Sequence, residues 1–596
     1  MEWTQKQMTD THLSAMIDRR VWFGFAAFLL TAGLLVLMER MGLPERLLVL
    51  SVPLISLLLL VPIGLASGSM RLSDFYAGGR HVPAFYVAPA LTTMSLGLGF
   101  TLLVDNESSA ISMDWLLDSV IGLTMGLMIT SVFTGPLLRA IRAFSLMDLL
   151  TLRFPNPLLR FILALVTACI GFVMAWAALS IAVAIVSPGL NLSSRAISWT
   201  LGGLMLLLLV PGGLRTLIWI CAGGGLLALA SLGLAFFTDL ARIGPTEFML
   251  FLDTSLFQKY SAGENDLKHF LSDHLISHFG VIASLALGIA CLGPIVSPSV
   301  ASSSSTQARK GTLFGLIWVI GLIALLGFTA LATHKSIVQR LEGQRPERLS
   351  TSLLAANGNG LISLCTDHSA DPVTLLAQCR KRTGFTSVLR SEDIRIGSIW
   401  LLIGLAPSSE LNPALSGLIV TSLGLLTLLV AGGSAFSCAL ALSQDLFKRQ
   451  REGQALSSRR LALTRLGLAG TVLTIVLLQQ QHMFDPKLLA GTGIALASLC
   501  LAPVTILIFW PRANSFDACV VIATSIGVAL WPFTKTASWP ELSVLLQQAI
   551  TGAGIGLLAG MLTSFLHGTG PESRGAKFLQ GLRTQNFYDG FADKGA

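Results

Sequence analysis

The residues best placed to do chemistry share one apolar run between Pro83 and Thr101, where Pro89, Thr92, Thr93, Ser95, Gly97 and Gly99 interrupt the aliphatic side chains. Proline removes a backbone donor and glycine weakens helical order, so the pattern predicts a helix that loses regularity part-way along. In a bilayer, carbonyls freed in this way persist only where they line a protein cavity or hold a ligand. Hydrolytic or redox chemistry finds no comparable group. The nine histidines fall mostly in loops, and no HExxH or paired Cys/His spacing occurs. His274 and His278 are four apart and can share a helical face, but a zinc site needs further ligands. The loop Asn357-Gly358-Asn359-Gly360 has part of a calcium-loop pattern, yet its first and twelfth positions, Ala355 and Thr366, carry no carboxylate. The sequence therefore points to binding without a resident cofactor or metal centre, and not to an enzyme.

The elements that position these oxygens must be membrane helices. Of 596 residues, 53% are hydrophobic and 12% charged, so the bilayer is the main solvent. The stretches 161–194 and 411–444 contain no charged side chain, and a spanning helix needs only about 20 residues. Apolar runs fall near 21–38, 47–66, 83–104, 115–138, 158–187, 196–212, 216–238, 276–297, 312–333, 411–443, 461–480, 486–510, 515–534 and 543–566. They predict an all-α integral membrane protein with about 14 transmembrane helices. Glu39 and Arg40, rather than a small-residue cleavage site, follow the first run, so it reads as a retained helix. The segment 396–405 is too short to cross and reads as an interfacial helix.

Charge sets the orientation. The net +8 would suggest nucleic acid in a soluble protein; here it is the cytoplasmic Lys/Arg bias of a membrane protein, with no nucleic-acid partner. Placing both termini in the cytoplasm puts Lys448, Arg449, Arg451, Arg459 and Arg460 inside, and the acidic loop 105–114 outside. Six of the eight cysteines lie in apolar runs, and Cys365 and Cys379 can form a bridge where their shared loop faces an oxidising space. No Asp, Glu, Lys or His lies well inside a run. Asp118, near an outer helix end, reads as a solvated helix-start residue. A neutral or anionic solute fits this pattern better than a cation needing a buried counter-ion.

A second run, 276–297, is also interrupted, by Gly288, Gly293 and Pro294, with Pro298 just beyond. It lies five spans after the first interrupted run. Because five is odd, it enters the membrane from the opposite face, so spans three to seven and eight to twelve predict two inverted five-helix units. Interrupted helices at matching places in inverted halves point to a binding site near the bilayer midplane.

Five stretches carry a family resemblance. Asp74-Phe75-Tyr76-Ala77-Gly78-Gly79-Arg80, then Ser145 to Leu150 with Arg153-Phe154, resemble motifs of the sodium:solute symporter family. So do Gly212-Gly213-Leu214-Arg215 with Trp219, Ala441 to Phe447, and Ile508-Phe509-Trp510 with Arg512, all in family order. The subgroup most similar is the bacterial cation/acetate symporters. The resemblance implies a leucine-transporter-type 5+5 inverted-repeat core. Residues 1–66 would form a tail and two extra helices, 67–240 the first repeat, and 241–510 the second, including a long external loop at 334–410. Two peripheral helices (511–566) and a cytoplasmic tail (567–596) would follow.

The resemblance also implies a symporter in the bacterial inner membrane. It would move a small organic solute, such as a short monocarboxylate like acetate, coupled to sodium or another cation. Its partners would be that solute and membrane lipid. The family holds sodium with carbonyls of the first broken helix and a Ser/Thr pair in the tenth span. Aligned through Ser443-Gln444-Asp445, that pair falls on Leu429 and Val430, and the adjoining acidic position on Gly432. Neither apolar side chain ligates a hard cation. Hydroxyls displaced by one turn, Ser434 and Ser437, together with Thr92, Thr93 and Ser95 near Gly97, are the candidates to take their place. The alternative implied by the missing pair is a non-transporting homologue, a solute sensor or regulatory membrane subunit.

Overall fold

The computed structural model describes residues 71–103, 113–190, 192–243, 275–345, 413–445, 457–481, 484–531 and 541–566, with scattered residues before 71 and short pieces between 349 and 396. Capping residues and prolines set the helix bounds. Helix α1 (Leu72–Ala77) ends at Gly78, whose φ of 59° turns the chain into α2 (Ala84–Leu103). Helix α3 (Trp115–Ala140) passes through a π-turn at Thr130–Thr134 just before Pro136. Ser145 caps α4 (Leu146–Arg153) by accepting from the Asp148 N–H, and Pro157 opens the 34-residue α5 (Pro157–Leu190). Helix α6 (Ser194–Gly212) turns at Gly213, φ 57°, into α7 (Leu214–Ile243).

The second half opens with α8 (Leu275–Cys291) and α9 (Gly293–Val300), two pieces of one span bent by 45°. Then come α10 (Ser305–Leu341), the long loop, α12 (Pro413–Leu440, closing in a π-turn at Ala441–Asp445), α13 (Ser457–Gln479) and α14 (Pro486–Leu507). The loop holds α11 (Pro372–Arg380) and two three-residue strands, β1 (Ile362–Leu364) and β2 (Ile394–Ile396), paired antiparallel. Among the described residues they are the departure from an otherwise helical fold. Cys365 and Cys379 are joined by a disulfide in this loop. Helices α15 (Ser515–Leu530) and α16 (Leu542–Leu566) pack on each other, and α16 leans on α8 and α14.

The spans expected from 83 to 566 are thus all helices, although α15, at 16 residues, is short for a crossing. The first two, near 21–38 and 47–66, and the tail 567–596 lie mostly or wholly outside the described residues. Ile396 closes β2, and the rest of the expected interfacial helix at 396–405 also lies outside them. Large apolar side chains face outward on many helices, among them Phe161 (α5), Ile317 (α10), Leu466 (α13) and Leu562 (α16), each more than half exposed. In water that surface would be untenable; in a bilayer it is the lipid-facing belt of a multi-pass membrane protein.

Packing follows an exchange rule. Replace each helix of α2, α3, α5, α6, α7 by its counterpart in α8/α9, α10, α12, α13, α14, and most pairings map onto one another. The α2–α10 contact becomes α8–α3, α2–α7 becomes α8–α14, and α7–α12 becomes α14–α5. The central α5–α12 and the outer α6–α13 contacts map onto themselves. Several pairings break the rule, among them α7–α10, α6–α7 and α2–α14, and the most extensive of them is α2–α12. Helix α2 lies closely along α12, whereas α8/α9 makes no comparable contact with α5 among the described residues.

Candidate functional site

The break between α8 and α9 is built by Leu292-Gly293-Pro294. Leu292 is extended (φ −70°, ψ 131°), Gly293 carries no side chain, and Pro294 starts a new helix while denying Ala290 its usual donor. Pro298 repeats the loss one turn on, and there Ser297 Oγ donates to the Pro294 carbonyl at 3.0 Å. The glycine is required by a neighbour: the Ser437 hydroxyl of α12 faces it so closely that a Cβ at 293 would collide with Oγ. One turn earlier on α12, Gly433 lies between α2 and α9; a Cβ there would be 3.1 Å from both Met94 Cε and Pro294 Cβ. Three elements therefore meet at glycines.

A cavity of about 50 Å³ opens at this meeting point. Gly293, Ser297, Gly433 and Ser437 line it, with Thr167 of α5 and Cys291 of α8. It occupies the space that the missing α9–α5 contact leaves. The Ser434 hydroxyl, one turn from Ser437, is fully buried without a hydrogen-bond partner, a state that costs about 1–3 kcal/mol.

The hydroxyls of α2 are arranged differently. Thr92 Oγ1 donates to the Ala88 carbonyl at 2.9 Å, Thr93 Oγ1 to Pro89 at 3.0 Å and to Cys221 of α7 at 2.6 Å, and Ser95 Oγ to Leu91 at 2.7 Å. Helix α2 is continuous, contrary to the interruption its sequence suggests. Back-bonding hydroxyls satisfy carbonyls along it, and neighbours account for the glycine and proline. Gly97 faces the Leu426 carbonyl of α12, where a Cβ would clash, and the Pro89 carbonyl faces Gly225 of α7, whose Cβ would come within 2.5 Å. Leu429 and Val430 of α12 are buried and apolar, and Leu209 occupies the space beside Gly432. No oxygen donor stands at those three positions.

The motifs that carried the family resemblance converge at the arginine-rich end. Asp74 pairs with Arg215 at 3.1 Å and accepts from Ser69 Oγ at 2.9 Å. The Tyr76 hydroxyl meets Thr464 Oγ1 at 2.6 Å, which in turn meets Ser443 Oγ at 2.7 Å. Buried Arg153 reaches the Trp510 and Ala513 carbonyls, both at 3.0 Å, and burial pushes its guanidinium down to about 10. The Asp74–Arg215, Tyr76–Thr464 and Arg153 contacts join segments far apart in sequence. The motifs form the closure of this end, and Tyr76 and Leu214 extend from it into the cavity lining.

One further charge differs from expectation. Asp118 is not solvated: it is buried, and its Oδ2 lies 2.8 Å from His278 Nδ1, tying α3 to α8. Sequence alone had no route to this, because the partner is 160 residues away. His278 is thus engaged with a carboxylate, and no group of three metal-ligating side chains occurs among the described residues.

Comparisons with known proteins agree with this architecture. A solved Na+-coupled sialic acid symporter, captured substrate-bound and outward-open, superposes with a TM-score of 0.61 at 13% identity, covering 88% of this chain and 98% of that one. The fold is therefore the leucine-transporter type. An uncharacterised symporter of Cupriavidus necator is 30% identical over 118 residues, which is 20% of this chain and 17% of that protein. The chain thus matches only about a sixth of that relative's length. No family model matches.

Proposed function

We propose that this protein is a secondary active transporter that moves a small organic solute by alternating access around the cavity between α5, α9 and α12. The observation that carries this reading is the broken span itself. Its cut ends, two glycines and the Ser437 hydroxyl meet at one cavity, on a fold whose solved neighbour is a coupled symporter. A neutral or anionic solute suits a cavity with no carboxylate among the described residues that line it, and a short monocarboxylate such as acetate is the class suggested by the motif resemblance. A half-helix beginning at Gly293 offers its positive end to such a carboxylate.

Sodium is the coupling ion the neighbour suggests, and Ser434, Ser437 and Ser297 are the oxygen donors proposed to replace those absent at Leu429 and Val430. The disulfide in the loop after α10 supports an orientation with that loop in an oxidising compartment and the arginine-rich end cytoplasmic, as in a bacterial inner membrane. The apolar character of Leu429, Val430 and Gly432 favours a second reading, a non-transporting relative that senses solute at the same cavity.

Uptake by purified protein in liposomes separates the two readings. With radiolabelled acetate as probe, we expect accumulation under an imposed sodium or proton gradient that collapses with the gradient. Saturable acetate binding with no accumulation under either gradient would favour the sensor and overturn transport.

A further inference from the structure

We propose that a sodium ion binds between α3 and α9, in the space opposite Gly135, at a site separate from the hydroxyls of α12. The local sequence shapes that space. In the π-turn at Thr130–Thr134 the Gly135 N–H reaches back to the Thr130 carbonyl, and Pro136 then offers no N–H to the carbonyls of the turn before it. Gly135 has no side chain, and the place a Cβ would take is walled by oxygen: Ser299 Oγ of α9 would lie 2.7 Å from it and the Thr130 carbonyl 2.9 Å. Ser299 is fully buried, and its hydroxyl has no hydrogen-bond partner. The Thr134 hydroxyl, in the same turn, is also buried and unpartnered.

The surrounding hydroxyls behave differently. Thr130 Oγ1 donates to the Gly126 carbonyl at 2.9 Å, Ser131 Oγ to Met128 at 2.8 Å, Ser297 Oγ to Pro294 at 3.0 Å and Ser302 Oγ to Ser299 at 2.7 Å. Ser299 and Thr134 forgo such bonds, which destabilises a buried hydroxyl. A hard cation takes oxygen ligands, and its binding at these lone pairs would offset that cost. Neither 130–136 nor 293–300 contains an acidic residue, whereas calcium sites are built on carboxylates, so a single positive charge fits better than two. Arg139, one turn further along α3, donates to the Ser302 and Ser303 carbonyls, and its charge weighs further against a divalent ion. A space the size of a methyl group suits sodium better than the larger potassium. Bound there, the ion would fix α9, the half-helix that borders the cavity, against α3. The inference does not depend on transport, since its readout is binding.

The test uses the full-length protein in neutral detergent, with Ser434→Ala and Ser437→Ala together removing the hydroxyls proposed on α12. Sodium chloride replaces choline chloride at constant ionic strength, and the thermal midpoint is read at each step. We expect sodium to raise the midpoint saturably and potassium to raise it far less. Adding Ser299→Ala, which removes an oxygen but no hydrogen bond made by that hydroxyl, should leave the midpoint in choline unchanged. It should raise the half-saturating sodium concentration about tenfold. Gly135→Ala, which puts a methyl group into the space, should abolish the response, and Gly99→Ala should keep it. No sodium response before Ser299 is changed, an equal response to potassium, or an unchanged half-saturation in Ser299→Ala would each overturn the proposal. Should the α12 double variant fail to fold, Ser299→Ala is made in the otherwise unchanged protein; a sodium titration superposable on the parent's overturns the proposal equally.

Discussion

The two interrupted spans, α2 and α8/α9, occupy equivalent places in the inverted halves, yet only one of them breaks. Both contain proline and glycine. In α2 the proline stands alone, and the hydroxyls of Thr92, Thr93 and Ser95 fold back on the preceding turn. Its Gly97 brings it against α12. In α8/α9 the proline follows a glycine directly, a second proline comes one turn later, and no close contact to α5 holds the pieces straight. A helix interruption thus depends on what the neighbouring helix does with the freed backbone. The open side of this asymmetry is where the cavity lies.

The sharpest way to break the comparison is to exchange the prolines. Pro294→Ala restores the donor for Ala290 and favours a straight span; we expect acetate uptake to fall at least tenfold. Pro89→Ala in the continuous helix should change uptake less than twofold. Equal losses would mean that the two spans do not differ in role. Next in size is Gly97→Val, which forces a side chain into the Leu426 carbonyl and should cost about 1–3 kcal/mol or more, seen as a lowered thermal midpoint. Gly99→Ala, which meets only Leu123 Cδ2 at 3.2 Å, should fold like the parent.

Smaller effects test the hydroxyls. Ser437→Ala is expected to weaken sodium- or solute-dependent uptake severalfold while leaving the midpoint near the parent's. Thr93→Ala removes hydrogen bonds to Pro89 and Cys221 and should instead cost about 1 kcal/mol of stability. Weakened ion dependence in Thr93→Ala alone would move the site to α2. The smallest expected change is in Arg215→Gln. Its partly exposed pair with Asp74 contributes about 1 kcal/mol or less, and its loss should mainly increase solvent access from the arginine-rich end, measured by thiol labelling.

Much of the architecture was legible in the sequence. Long uncharged runs marked the helices, and Gly293-Pro294 marked the one bent span found among the described residues. The odd spacing anticipated inversion, which the exchange of helix contacts reproduces for the central pairings, with the largest exception at α2–α12. The site was less legible. Ser437 reaches the cavity, whereas Thr92, Thr93, Ser95 and Gly97 are engaged in packing and back-bonding, because composition does not reveal which carbonyl a hydroxyl will find. Ser297 and Thr167 had no motif to mark them. Asp118 looked solvated because its partner, His278, comes from the other half of the chain. The recognisable motifs turned out to close one end of the molecule.

The most direct test is the reactivity of Ser437→Cys, in a protein with Cys169, Cys291 and Cys519 replaced by serine, toward an impermeant thiol reagent applied from either side of sealed vesicles. A pocket between two rocking halves predicts modification from both faces, in a ratio that shifts by severalfold when sodium or acetate is added. Reaction from a single face, at a rate that neither addition changes, would contradict it.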